Sequence, residues 1–548
     1  MKYWFKNAII YSLNIKAFKD DSGDGIGDLD GLKERLEYIA GLGVNTVWML
    51  PIFSTPNQDN GYDVSNYYDI DSRIGDMAAF VEFLDMAEDH NLRVLIDMPL
   101  NHTSNQHFWF QQACKNPDSH YRDYYIWSKE KPEDSQDKIM FEGQQSSNWA
   151  YDEHSDSYYY HSFYKFQPDL NYTNPSVRRE IRNIMHFWLR LGVSGFRIDA
   201  LPHIVRNKGN IKFDNPHLIL RELRQNVDEI KNDAVLMGES DVEPERYKDF
   251  FGDGREMHML LNFYLTNYLF LALAQRSKKP IQYALEQLPD TSLFEQYANF
   301  LRNHDELDLE RLNEDELKTV FEKFAPEDDM QIFGRGIRRR MAPMLKEGRL
   351  IRFAKSLHFS MPGTPILRYG DEIGMGDDLD EPGRSSVQTV MQWSTDKNAG
   401  FSSAEPDQLC KPVIDKGEYN YQKVNVANQR RDPESLLNWT EKLIGIRTKC
   451  TEFGRGNYKF WHTGNEKVMA HSSTKDNEIS IVFHNFSEEA EQITINLDDE
   501  NIREIHEVFY DRLYEEFDRK KGKIQLDPLG YRWFKGKLQR REHTDKIR

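Results

Sequence analysis

Short apolar runs alternate with longer stretches of helical periodicity along most of this chain. Asn45–Leu50 reads as a buried strand stopped by Pro51. Residues 76–90 are helix-like and Arg93–Met98 strand-like. Helix-like 176–191 precedes strand-like Ser194–Asp199. Further apolar runs stand at 234–238, 257–262, 297–301 and 365–369. Strands alternating with helices predict a parallel sheet with crossover helices. Repetition over roughly 450 residues favours closure into a TIM (β/α)8 barrel over an open sheet.

Two stretches break the alternation. Residues 103–175 are rich in Tyr, Trp, Ser, Asn and Gln with little periodicity. Their aromatics argue for a folded insertion after the third strand rather than a disordered linker. Residues 375–435 form a second irregular segment. From about residue 455 the pattern turns to short β-like runs, Glu478–His484, Ala490–Leu497 and Gly530–Phe534. The expected organisation is a barrel over 1–102 and 176–454, an inserted subdomain over 103–175, and a C-terminal antiparallel β-sandwich over 455–548. The charged tail from Gln539 to Arg548 is expected to be mobile.

A chain of 548 residues exceeds one typical domain, in keeping with that organisation. The formal net charge of −19 argues against a nucleic-acid partner, which would need clustered Lys and Arg. Cys114, Cys410 and Cys450 are too few and too scattered for a disulfide framework. The start, Met1 to Lys6, has no long apolar run and no small-residue cleavage site. No stretch is long and apolar enough to span a membrane. These features read as a cytoplasmic protein with no membrane partner, and the sequence leaves a homo-oligomer open.

Chemistry enters at the strand ends. In a parallel barrel, reactive groups sit where strands finish. Val94–Met98 leads to Asn101 and His102. Ser194–Asp199 ends on Asp199, with Arg197 two residues earlier. Residues two apart on a strand point the same way, so Arg197 is placed to keep Asp199 ionised. Ala234–Gly238 ends on Glu239, and Tyr297–Arg302 is followed by Asn303, His304, Asp305 and Glu306. One acid after a strand is commonly a helix cap. Several such ends, each with an acid and flanked by His and Arg, point to a reaction instead. Cleaving a glycosidic bond needs a proton for the leaving oxygen and an anion facing the positive anomeric carbon. Two carboxyl groups about 5 Å apart do this with retention, one of them as nucleophile.

At these residues the chain resembles the α-amylase superfamily of glycoside hydrolases. Leu95–His102, Gly195–Asp199, Glu239 and Asn303–Asp305 look like its four short motifs, in the same order and spacing. Gly61–Val64 matches a further motif that contacts the terminal glucose. The resemblance implies that Asp199 is the nucleophile, Glu239 the general acid/base, and Asp305 the acid that grips the sugar's 2- and 3-hydroxyls. It implies that Tyr62, Asp63, His102, Arg197 and His304 line the bound glucose. Gln167–Asn171, Leu301–Leu307, Tyr369–Met375 and Met391–Trp393 are similar to the trehalose synthase subgroup, which interconverts maltose and trehalose. No organic cofactor is implied, and the expected partner is a small α-glucoside.

Departures from that subgroup stand at Ser386–Val390, where it reads Gly-Val-Arg-Thr-Pro, and at Arg368, where it has Tyr. Gly238–Asp241 replaces Ala-Glu-Ala-Asn, and the loop Phe53–Gln58 is also unusual. These positions are expected near the leaving-group side, so acceptor handling is open. Intramolecular glucosyl transfer and α-glucosidase hydrolysis therefore compete. A non-catalytic binding homologue would have lost the acids or carried an anchor. Long inserted loops suggest a pocket rather than an open cleft.

Two structural cation sites are expected. Asp20, Ser22, Asp24, the Ile26 carbonyl and Asp28 alternate as in an EF-hand-like loop, suited to Ca2+ or Mg2+. By resemblance, Asn101, Asp169 and the His203 carbonyl match calcium ligands that pin the insertion to the barrel.

Overall fold

The computed structural model describes residues 3–132, 139–140, 145–498 and 501–539. Eight parallel strands close into a barrel. They are β1 (Ile10–Leu13), β2 (Thr46–Met49), β3 (Arg93–Met98), β4 (Gly195–Ile198), β5 (Val235–Gly238), β6 (Met259–Leu261), β7 (Gln296–Phe300) and β8 (Thr364–Arg368). Each strand pairs with its sequence neighbours, and β1 closes on β8 with Ile10 opposite Ile366. The strands β2 to β8 follow the predicted apolar runs. β1 escaped prediction because four residues between 3-10 turns offer too short a run for periodicity to register.

Ile10, Trp48, Leu95, Met237, Met259, Ala298, Phe300 and Ile366 fill the barrel's interior, and Trp4 and Phe5 join them at the end where the strands begin. Such a barrel is a packed core and not a pore. The crossover helix α1 (Pro175–Leu191) shows why the sequence stops and starts where it does. The Asn174 side chain accepts from Ser176 N–H, Pro175 takes the first turn, and Gly192 ends the helix with φ 125°. Its apolar face, including Val177, Ile181, Ile184 and Trp188, is buried. Gly195 allows β4 to lie close to β5, since a Cβ there would stand 2.1 Å from the Val235 carbonyl oxygen.

After β3 the chain forms a helix, Phe108–Lys115, and a small antiparallel sheet of Trp127–Ser128, Ser157–Tyr160 and Trp149–Asp152. The isolated bridge His102–Asp169 ties this insertion back to the barrel, and Tyr125–Leu170 joins two of its own segments. Beyond residue 456, a five-stranded antiparallel sheet and a two-stranded one make a second core. Its strands include Glu478–Asn485, Glu491–Thr494 and Tyr531–Leu538, close to the predicted runs. The sheet docks on the barrel through Trp533 Nε1, which donates to Ser356 Oγ at 2.9 Å, and Trp439 Nε1, which donates to Tyr531 O–H at 2.9 Å. Of the charged tail, residues 540–548 lie outside the described residues.

Candidate active site

β4 carries Arg197 inward, opposite Asp97 on β3 and Met237 on β5. Arg197 Nη1 donates to Asp97 Oδ1 at 2.8 Å and to Asp199 Oδ1 at 2.7 Å, and Nη2 pairs with Glu239 Oε1 at 2.5 Å. One buried guanidinium thus joins the ends of three successive strands. Ala200, just past Asp199, takes a left-handed conformation at φ 46° and turns its N–H onto Glu239 Oε2 at 2.8 Å. A non-glycine residue held there stores strain, a feature that gathers at reacting centres.

The electrostatics follow from burial and a shortage of cations. Burial pushes Asp199 and Glu239 up to about 7 and Asp97 to about 6, while Arg197 pulls all three back. The contact predicted between Arg197 and Asp199 is present, and its pull is weaker than burial. The trio resists three negative charges, so a proton stays in the set near neutrality. Asp305 differs. Burial pushes it upward too, but Arg384, then His304 and Arg197, hold it down at about 2. Arg384 Nη1 lies 2.9 Å from Asp305 Oδ1, and His304 Nε2 lies 3.2 Å from Oδ2. Burial keeps His304 neutral, with its pKa lowered to about 3, and His102 likewise at about 4.

Tyr62 O–H donates to Asp97 Oδ2 at 2.9 Å and meets His304 Nε2 at 2.7 Å, and its ring stacks on the imidazole with centroids 5.7 Å apart. His102 Nε2 lies 3.1 Å from the Tyr62 carbonyl oxygen. Tyr62, His102, Asp199, Glu239 and Asp305 line a cavity of about 210 Å³, while Arg197 and His304, expected on its wall, stand behind these residues. It is a small pocket, and Phe163 and Gln167 of the insertion are among its lining. Asp63 does not line it. Its carboxylate braces its own loop, accepting from Thr55 Oγ1 at 3.0 Å, Gln58 N–H at 2.9 Å and Asp59 N–H at 3.0 Å. Asp59 faces the cavity instead.

Residues 12–456 match the family described as alpha amylase, catalytic domain. The chain belongs to the α-amylase family. Within it, the chain is 39% identical over 475 residues to the trehalose synthase/amylase of Mycolicibacterium smegmatis, covering 85% of this chain and 80% of that protein. It is 30% identical over 533 residues to the glucan 1,6-alpha-glucosidase of Streptococcus pneumoniae, covering 90% and 93%. The solved structure of a trehalulose synthase mutant in complex with Tris superposes with TM-score 0.78 at 25% identity, covering 97% of this chain and all of that one.

At one of the two cation sites suggested by sequence, this member of the α-amylase family places an ammonium. Lys208 Nζ stands 2.6 Å from Asn101 Oδ1 and 2.8 Å from Asp169 Oδ2, between the oxygens assigned to calcium. Burial lowers the pKa of Lys208, and its charge holds Asp169 below the usual range against the upward push of burial. Ser162 N–H and Oγ donate to the same carboxylate at 2.7 and 2.6 Å, and His203 lines the cavity. With an ammonium in place and its partners satisfied, these residues do not fit a metal ion. In the loop 20–28, Asp20 accepts from Gly23 and Gly25 N–H and from the Ser22 and Ser402 hydroxyls. Asp28 accepts from the N–H groups of Asp21, Ser22 and Gly31, and Asp24 from that of Ile26. The loop satisfies itself as a hydrogen-bonded turn. Among the described residues, the acidic trio whose ligand atoms all lie within 4.8 Å of one another is Asp241, Asp308 and Glu310.

Most of the subgroup departures lie behind the cavity. Ser386 to Val390 are buried, and Gln388 Nε2 donates to the His304 carbonyl at 3.1 Å. Arg368 and Arg340 both donate to the Val387 carbonyl. Asp241 is the departure that lines the cavity. Arg384, Glu306, Asp308, Glu310 and Arg335 also line it, and sequence reasoning did not single them out as site residues. They stand on loops, short turns and a two-residue strand, too short for periodicity to mark them.

Proposed function

We propose that this protein interconverts maltose and trehalose by moving one glucosyl unit within a closed site. Asp199 attacks the anomeric carbon while Glu239 protonates the leaving oxygen, giving a β-glucosyl ester and a free glucose. Glu239, now a base, takes the proton from the anomeric hydroxyl of the reoriented glucose, whose oxygen attacks the anomeric carbon of the glucosyl ester, breaking its bond to Asp199 and restoring the carboxylate. Asp305, kept ionised by Arg384, faces the positive charge that develops on the sugar ring and binds its hydroxyls. His102 stays neutral and serves with Tyr62 as a hydrogen-bonding wall, and neutral His304 positions Tyr62 and Asp305 from behind.

The observation that carries this reading is the bridge by Arg197. One guanidinium contacting both Asp199 and Glu239 suits the roughly 5 Å spacing of a retaining pair, rather than the wider gap of an inverting one. A small walled pocket holds the freed glucose at high effective concentration, which favours return over hydrolysis. The similarity to a trehalose synthase favours transfer, and the lower similarity to a glucan 1,6-alpha-glucosidase keeps α-glucoside hydrolysis as the second reading.

The experiment is to trap the intermediate. A fluorinated α-glucosyl fluoride that reacts quickly and turns over slowly should leave one glucosyl adduct, mapped by peptide mass spectrometry to Asp199. Asp199→Ala should take no label and lose about 10⁴-fold in turnover while remaining folded. An adduct on another residue, or near-normal activity of that variant, would overturn the assignment.

A further inference from the structure

A short hairpin brings the guanidinium of Arg335 to the cavity wall. Gln331–Ile332 pairs with Gly336–Ile337, and Gly336 lies opposite Asp308 on its other side. At the tip, Phe333 and Gly334 both take left-handed conformations, at φ 55° and 67°. A large aromatic residue at positive φ is strained and persists only where the surrounding structure fixes it. Here Arg335 N–H bonds the Ile332 carbonyl at 3.3 Å, and the Arg335 carbonyl accepts from Leu309 N–H at 3.0 Å. The backbone of Arg335 is therefore held on both sides.

Its side chain is held by one atom only. Arg335 Nε donates to Asp308 Oδ2 at 3.0 Å and lies 3.6 Å from Glu310 Oε2. The other oxygen of Asp308 accepts from Glu310 N–H at 2.9 Å. Burial opposes the charge of Arg335, and Asp308, then Glu310, outweigh it and hold its pKa above the usual value. Nη1 and Nη2 bond no described residue and stay open rather than enclosed. Of the five N–H donors of a guanidinium, the four on these atoms are left, in one fixed plane. Asp241, Asp308 and Glu310 share this wall, their oxygens within 4.8 Å of one another, and Asp241 follows the proposed acid Glu239 by two residues. The fork thus stands beside the group that protonates the leaving oxygen. A phosphate or carboxylate would suit the guanidinium but would meet those three acids. A neutral sugar hydroxyl accepts from the fork and donates to a carboxylate, so it suits both.

We propose that Arg335 selects the leaving sugar, its two Nη atoms donating to neighbouring hydroxyl oxygens of a neutral second hexose. The inference rests on the glucosyl transfer proposed above and names a specificity-determining residue for its second sugar. Arg335 takes no part in bond making or proton transfer. A leaving group without hydroxyls gains nothing from the fork, and a phosphorylated second sugar is disfavoured by the acids around it.

The test uses the full chain with maltose, trehalose and α-glucosyl fluoride, whose leaving group has no hydroxyl. No turnover of any of them by the unmodified protein would sink the transfer reading, and this inference with it. Turnover of the fluoride alone would leave the glucosyl-enzyme standing and overturn the assignment of a second sugar to Arg335. Arg335→Met removes the fork and keeps most of the stem, and Arg335→Lys removes the fork and keeps the charge. Both are checked by thermal melting. In each, kcat/KM on maltose and trehalose should fall at least about tenfold further than on the fluoride, the scale of one charge-assisted hydrogen bond. Glucose released per trehalose formed from maltose should rise, because the freed sugar is held less well. An equal loss on all three donors would mean that Arg335 only braces Asp308. Full activity of Arg335→Lys would mean that charge alone matters. Either result overturns the proposal, as would faster turnover of trehalose 6-phosphate than of trehalose by the unmodified protein.

Discussion

Asp199 and Glu239 carry similar pKa values for the same reason, burial against one shared guanidinium, yet the proposed chemistry needs opposite forms of them. Glu239 must hold a proton that it loses as pH rises through about 7, and Asp199 must be ionised, a state it loses as pH falls below about 7. The expected kcat/KM profile of the free enzyme is therefore a narrow bell centred near neutrality, reporting the pair rather than either residue alone. Asp305, at about 2, adds no limb in the working range. A donor with a fluoride leaving group needs no acid for the first step. With it, Glu239→Gln should lose the alkaline limb and keep the acid one. A rate-against-pH series on both proteins checks this, and an alkaline limb that persists in the variant would remove Glu239 from the role. Asp199 and Glu239, which line the cavity, were legible in the sequence because each ends an apolar run, where a barrel exposes its reactive groups, and Asp305 follows another run by a few residues. Asp97 was less so, since it sits inside its run and declares itself only when the register sets it opposite Arg197.

Single elements were legible where burial imposes a pattern. The strands from β2 onward and helix α1 follow the apolar periodicity within a residue or two. The loops that complete the cavity are irregular, and their side chains are placed by long-range pairing that no local pattern records. Arg384 reaches across from the long segment after β8 to Asp305 and Asp59. Arg368 is a related case. Where the subgroup has Arg, position 388 is Gln, and Arg368 at the end of β8 bonds the neighbouring Val387 carbonyl. Lys208 shows a substitution of role, an ammonium spanning two oxygens that resemblance gives to calcium. Removing it leaves a buried carboxylate unpaired at the seam between insertion and barrel. Lys208→Met is expected to cost about 3–5 kcal/mol of stability. Denaturant unfolding measures this, and limited proteolysis should then cut first within 103–175. An unchanged midpoint would mean that the ammonium is dispensable.

The whole molecule joins barrel and C-terminal sheet through a buried polar seam. His484 Nε2 meets Ser356 Oγ at 3.0 Å, His471 Nε2 meets Ser360 Oγ at 3.2 Å, and the two rings stack at 6.0 Å. Burial lowers the pKa of His471 to about 3 and of His484 well below its usual value. Neutral imidazole is favoured in the folded state and the unfolded chain binds protons first. Stability is therefore complete above the ordinary histidine range of about 6.5 and is lost as pH falls below it. Thermal melting across pH 8 to 4 should show a falling midpoint below about 6.5, less steep in a His471→Gln variant. A midpoint that is flat across that range would contradict the seam's neutral imidazoles.

The most direct test of the account is to incubate the protein with unlabelled maltose and uniformly ¹³C-labelled free glucose and follow both by NMR from the first minutes. A glucosyl unit that never leaves the closed site predicts early trehalose without label and with little net glucose release. Early glucose in place of a new disaccharide, or trehalose carrying label in one ring, would contradict it and point to hydrolysis or to transfer through an open site.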